Sequence, residues 1–216
     1  MKGRFITFEG IEGSGKSTVS REVRSKLEAA GIDVMLAREP GGTDLSEEIR
    51  RLLLDPSRSG IDPKAELLLY IASRAQLVEE TIRPALDRGT TVLCDRFMDA
   101  SVAYQGWARG LGEETVDELN AFAVGKTVPI RTFLLDLPVD AGFARGPQRR
   151  EDAGERARDR LEREDRPFHE LVREGYLRLA RRHPERVVVI DATAPLEEVS
   201  AAILGNLSAL FGVQFM

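Results

Sequence analysis

Eight residues near the start of the chain, Gly10-Ile-Glu-Gly-Ser-Gly-Lys-Ser17, restrict its fold more than any other stretch. They fit the pattern G-x-x-x-x-G-K-[ST], directly behind a short apolar run, Phe5–Phe8, and at the head of an amphipathic pattern, Lys16–Ala30. Small residues let backbone N–H groups close in on one anion, and the helix N-terminus adds partial positive charge. Lys16 can then reach the β- and γ-phosphates of a nucleoside triphosphate, while the Ser17 hydroxyl is placed to bind Mg²⁺. A strand, an anion loop and a helix in that order predict nucleotide binding on an open α/β sheet.

The remaining chain repeats that alternation. Asp33–Ala37, Thr91–Cys94, Thr132–Leu135 and Val187–Ile190 read as buried strands, with helical patterns between them such as Asp44–Leu53 and Pro63–Asp87. Five strands separated by helices predict an α/β fold with a mainly parallel sheet and helices on both faces. Gly31 and Gly89 stand just past two of the helices, where stops belong, and Pro84 predicts a kink or an end late in the long third pattern. No repeat or flexible linker divides the 216 residues, so 1–216 is expected to form one domain.

Composition excludes several classes. With 31 basic against 36 acidic residues, the formal charge of −5 opposes nonspecific nucleic-acid binding, which runs on unbalanced Lys and Arg. One cysteine, Cys94, rules out an intrachain disulfide or a cysteine zinc site, and is expected in the core. The two histidines, His169 and His183, are expected on a charged helical surface, and Trp107 has no assigned role. No apolar stretch suits a signal peptide or a membrane span, which predicts a soluble cytoplasmic protein without membrane contact.

Two short motifs close consecutive strands: Arg38-Glu-Pro-Gly-Gly-Thr43 follows the second, and Asp95-Arg96-Phe97 the third. Parallel strands all end on one edge of the sheet, where such folds bind ligands, so both motifs are expected to share a crevice with the anion loop. Asp95 then serves as a second magnesium-side group, directly or through water. Arg38 and Arg96 supply charge beyond what one triphosphate needs, which points to a phosphorylated acceptor. A separate run, from Arg145 to Arg166, holds eight Arg and seven Asp or Glu residues and reads as a charged excursion between two helices.

Taken together, Gly10–Thr18, Arg38–Thr43, Leu67-Leu-Leu-Tyr-Ile-Ala-Ser-Arg-Ala-Gln76, Asp95-Arg96 and Ala103-Tyr-Gln-Gly106 resemble bacterial thymidylate kinases. The resemblance implies a P-loop kinase fold with a helical lid near 145–166, a homodimer, and transfer of the ATP γ-phosphoryl group to dTMP with Mg²⁺. It implies that ATP is cradled by Gly10, Ile11, Glu12, Gly13, Ser14, Gly15, Lys16, Ser17 and Thr18, with Glu12 also near the acceptor phosphate. It further implies that Arg38 and Arg96 clamp the dTMP phosphate, that Glu39 accepts from the 3′-hydroxyl, and that Tyr70 lies against thymine.

Arg74, one helical turn on from Tyr70, would donate to the base. Ser101 and Gln105 would bond the pyrimidine edge, Tyr104 would crowd the 2′ position, and Arg50 is a further base-side candidate. The loop Asp191-Ala-Thr193 would lie near adenine. The P-loop stretch Glu12-Gly13-Ser14 carries no arginine, so the lid is expected to supply one. Candidates are Arg149, Arg150, Arg156, Arg158 and Arg160, with Arg156 and Arg160 preferred; Asp159-Arg-Leu-Glu162 matches the end of the lid pattern. The rival readings are a kinase for another nucleoside monophosphate and a partner-binding P-loop ATPase switch.

Overall fold

Each strand is short and largely apolar, and each leads into a helix. In the computed structural model, backbone is described for residues 3–58, 60–152 and 159–215, and side chains for the same residues except 146–152. The strands are β1 (Phe5–Glu9), β2 (Val34–Arg38), β3 (Thr91–Asp95), β4 (Arg131–Asp136) and β5 (Val187–Asp191). They form one sheet in the order β2-β3-β1-β4-β5, and all four pairings are parallel. The expected parallel α/β sheet is therefore realised without an antiparallel strand among the described residues.

The helices are α1 (Lys16–Ala29), α2 (Asp44–Leu54), α3 (Pro63–Leu77), α4 (Arg83–Asp87), α5 (Met98–Ser101), α6 (Glu113–Val124), α7 (Val139–Asp152), α8 (Arg166–Arg182) and α9 (Leu196–Phe211). The long third pattern does break near Pro84. The preceding residues, Val78–Ile82, form a π-helical turn, and Pro84 then falls at the start of α4. Proline lacks the N–H that an uninterrupted helix would use at that place, and a wider turn absorbs the mismatch. A second π-helical stretch, Val102–Ala108, carries Tyr104 and Gln105. Helix α8 lies close against it: a Cβ on Gly175 would stand 3.0 Å from the Trp107 Cβ.

The core lies on both faces of the sheet, with Ile6, Phe8, Leu93 and Phe133 inaccessible to solvent. Cys94 is buried there as expected. His169 is not on the surface. It is 1% exposed, on an α8 stripe with Phe168, Val172, Tyr176 and Leu179, edge-on to the rings of Phe143 and Phe168. The surrounding charges hid a helical apolar spacing that runs through this histidine. Burial pushes its pKa down, keeping it neutral. His183 is half-exposed at the end of the same helix.

Helix α7 also extends further than the expected start of the charged excursion, continuing from Val139 to Asp152.

Candidate active site

The chain leaves β1 toward β2 and leaves β3 toward β4, in opposite directions, which opens a crevice above the carboxyl ends of these neighbouring strands. Above this edge lies a cavity of about 960 Å³. It extends from the β2 side, at Arg38, Glu39, Arg50 and Tyr70, across the centre to the loop after β5, at Ala192–Leu196.

The loop from Gly10 to Ser17 wraps its own lysine. Lys16 Nζ donates to the carbonyls of Gly10 at 3.0 Å and Ile11 at 2.9 Å, and to Ser14 Oγ at 3.3 Å. Burial, followed by the neighbouring Arg96 charge, lowers its pKa to about 8. Gly15, at φ 90°, turns the chain into α1, a conformation open to glycine at little cost. The loop also needs glycine where α7 crosses it: a Cβ on Gly13 would stand 2.5 Å from the Gly142 carbonyl oxygen, and one on Gly142 2.5 Å from that of Glu12.

Ser17 Oγ donates to the Asp95 carboxylate, bringing together a hydroxyl and a carboxylate from the ends of two neighbouring strands' loops. Both line the cavity. Such hard oxygen donors suit Mg²⁺, which commonly fills its remaining positions with water and phosphate oxygens.

Arg96 is the most constrained residue of the site. It is the one described non-glycine residue with positive φ, 66°. Its guanidinium pairs with the Glu12 carboxylate and donates to Gly10 O at 3.1 Å and Tyr176 Oη at 3.2 Å, over the Tyr104 ring. Beneath it, buried Glu9 accepts from the Phe97 N–H and from Tyr176 Oη, both at 2.7 Å. Glu9 thus fixes the backbone just past Arg96 and, through Tyr176, one partner of its side chain. Burial, followed by the charge of Asp99, raises the Glu9 pKa to about 8 against the opposing pull of Arg96.

On the β2 side, Arg38 is exposed and bonds Glu47 at 2.7 Å, while Arg50 donates to Pro40 O at 2.9 Å. Glu39, Tyr70, Ser101, Tyr104 and Gln105 all line the cavity. Arg74 does not. Fully buried behind Glu39, it donates through two nitrogens to that carboxylate and also to Asn120 Oδ1 and Ser101 Oγ. Its side chain orients other groups of the site where an edge of the base was expected.

Arg160 also points elsewhere: its Nε donates to Leu53 O at 2.8 Å and its Nη2 lies 2.6 Å from Glu66 Oε2. Arg156 and Arg158, and the side chains of Arg149 and Arg150, lie outside the described residues.

Several lining groups carried little sequence signal. Arg145 reaches the cavity from α7 and donates to Ala192 O at 3.0 Å. Asp159, Leu161 and Glu162 enter from the stretch before α8. Arg145 opens the charged run and Glu162 closes its pattern, but charge alone does not tell a cavity wall from a solvated face. Trp107 stacks under Arg178, 4.0 Å from its ring centre, outside this cavity.

A model of the thymidylate kinase family matches residues 8–203. A thymidylate kinase of Citrifermentans bemidjiense is 50% identical over 201 residues, covering 93% of this chain and 89% of its own length. One from Desulfosudis oleivorans is 52% identical over 204 residues, covering 94% and 95%. Among solved structures, a thymidylate kinase from Ehrlichia chaffeensis superposes with a TM-score of 0.75 at 32% identity, covering 96% of this chain and 99% of its own.

Proposed function

From the premise that this chain belongs to the thymidylate kinase family and phosphorylates dTMP to dTDP with ATP, we propose that the loop after β1 seats ATP and that the β2–β3 side of the cavity seats dTMP. The observation carrying this reading is Arg96, a guanidinium held in a strained backbone conformation between the loop and the acceptor side.

Phosphoryl transfer asks a protein chiefly to align two anions and to neutralise charge that spreads over the moving group. Residues Gly10–Thr18 hold the triphosphate, with Lys16 on its β- and γ-oxygens. Ser17 and Asp95 would hold Mg²⁺, which would supply positive charge to the triphosphate. Arg96 and Arg38 bind the dTMP phosphate, and Glu12 steadies Arg96 from the loop side. Glu39, set by Arg74, accepts from the 3′-hydroxyl. Tyr70, Ser101 and Gln105 take the base, Tyr104 closes the 2′ side, and Arg50 supports the same end.

The acceptor phosphate is already a competent nucleophile, so no strong base is required. Because Arg160 is anchored to α2 and α3, Arg156 is the leading choice for the arginine that the lid brings to the transferred group.

The enzyme acts in the cytoplasm, where both nucleotides are found, and as a homodimer. What supports the dimer is a set of exposed apolar side chains on three helices of which α3 packs against both others: Leu45 and Leu52 on α2, Leu68 on α3, and Phe122 on α6, the last 88% exposed.

ADP formation from Mg-ATP, with dTMP, dUMP, dGMP, CMP and AMP as separate acceptors and an acceptor-free control, tests the whole reading. Strong preference for dTMP is the expected result. Preference for another acceptor overturns the base-site assignment, and ADP release independent of every acceptor overturns the acceptor site itself.

A further inference from the structure

Glu66 lies in α3, shielded from solvent, and three side chains from two distant parts of the chain converge on it. Gln105 Nε2 donates to its Oε1 at 2.8 Å. Arg109 reaches both carboxylate oxygens, at 3.4 and 3.3 Å, and Arg160 Nη2 stands 2.6 Å from Oε2. The two arginines are themselves held, Arg109 by Glu164 at 2.5 Å and Arg160 by the Leu53 carbonyl at 2.8 Å. Glu66 therefore has little freedom to turn.

A carboxylate paired with two guanidiniums offers lone pairs and no proton. An amide group beside it has one acceptable orientation, with its NH₂ toward the carboxylate. The flipped amide would set a carbonyl oxygen against a carboxylate oxygen in a buried place, losing a charge-assisted bond and adding repulsion. Gln105 is 1% exposed and lines the cavity beside Ser101 and Tyr104. Its amide is planar, so committing one branch to Glu66 decides what the other branch presents.

We propose that Glu66 is a positioning residue for acceptor specificity: by holding the amino group of Gln105, it commits the amide oxygen to the base side of the cavity, where an acceptor matches the N3–H of thymine and opposes the bare N3 lone pair of cytosine. A glutamine free to flip would read either ring. Pinned by Glu66, it favours the ring carrying a proton at N3, and repulsion contributes to selectivity as much as attraction. The inference rests on the reading above that places the base beside Tyr70 and Gln105.

The experiment measures kcat and KM for dTMP and for dCMP at saturating Mg-ATP, and KM for ATP, in the full chain and its variants. Glu66→Gln keeps the size of the side chain but allows residue 66 to donate as well as accept, which releases the orientation of Gln105. The expected result is a fall of at least ten-fold in the dTMP:dCMP ratio of kcat/KM, expressed in acceptor KM, with KM for ATP within two-fold of the parent.

Glu66→Asp preserves charge but withdraws the carboxylate from Gln105, and lowers the ratio at least three-fold even if Glu66→Gln proves insoluble. Gln105→Leu separates the two readings. If it lowers the ratio while neither Glu66 variant does, the orienting role of Glu66 is wrong and the base site stands. An unchanged ratio in Gln105→Leu removes Gln105 from the base site, and the inference falls with that reading.

Discussion

At the scale of single residues, the site depends on charges buried in pairs. Glu39 is 4% exposed, and burial raises its pKa while Arg74 pulls it back. Removing one partner of such a pair strands the other, at a cost of about 3–5 kcal/mol. Arg74→Ala should therefore lower unfolding stability by about that amount in urea titrations, and should raise KM for dTMP through a displaced Glu39.

Glu9 gives a pH signature. Its folded-state pKa of about 8 exceeds the ordinary 4.5, so the native fold retains a proton that the unfolded chain has lost. Stability from this group is complete below pH 4.5 and is lost as pH rises through about 8. Glu9→Gln cannot ionise, so thermal unfolding from pH 5 to 8 should show a shallower decline in the variant; parallel pH curves would refute the assignment.

The loop lysine was legible from sequence because it closes a fixed glycine-rich pattern, and Asp95-Arg96 because they stand at a strand end. The roles of Arg74 and His169 were not. Arg74's partners come from residues 39, 97, 101 and 120, and no local pattern announces such a meeting. His169 was obscured by the Arg and Glu residues around it, although Phe168, Val172 and Tyr176 carried the buried spacing.

At the scale of elements, one close backbone approach and one helix cap determine how parts of the site are joined. The crossing of α7 over the phosphate loop leaves no room for a side chain at Gly13 or Gly142. Gly142→Ala, inside a helix where alanine is otherwise favoured, should raise KM for ATP at least five-fold while leaving the far-UV helical signal intact. Unchanged ATP affinity would show that the loop can move aside.

Helix α2 begins where the Thr43 side chain accepts from the Ser46 N–H, which sets the helix that carries Arg50 and Leu53. Apolar runs and helical spacing found α1, α2 and every strand to within a residue or two, because burial is continuous along the central strands and follows one face of the helices. They could not find the π-helical stretches. Tyr104 and Gln105 owe their placement to one of these, and a single widened turn shifts side-chain directions without changing composition.

At the scale of the molecule, the exposed apolar side chains of α2, α3 and α6 are the feature that a lone chain explains least. Phe122→Asp places a charge at the most exposed of these side chains, and should convert the proposed dimer of 23.9 kDa chains to monomers in sedimentation or light scattering. An unchanged mass would count against the proposed dimer contact.

The fold class was readable from five apolar runs and their spacing, but the strand order was not, since each strand is apolar on both faces and fits several neighbours equally well. That order, β2-β3-β1-β4-β5, has a consequence for synthesis. Strand β1 comes first in the sequence and last in its demands: its partners begin at Thr91 and Arg131, so it emerges from the ribosome with both edges open. Long-range parallel pairing of this kind forms slowly, and the unpaired strand is vulnerable to aggregation meanwhile. The nucleotide loop is thus made well before the partner strands at Thr91 and Arg131, yet it has no platform until Asp136 has left the exit tunnel. Nucleotide can steady only a nascent chain that has already completed the middle of its sheet.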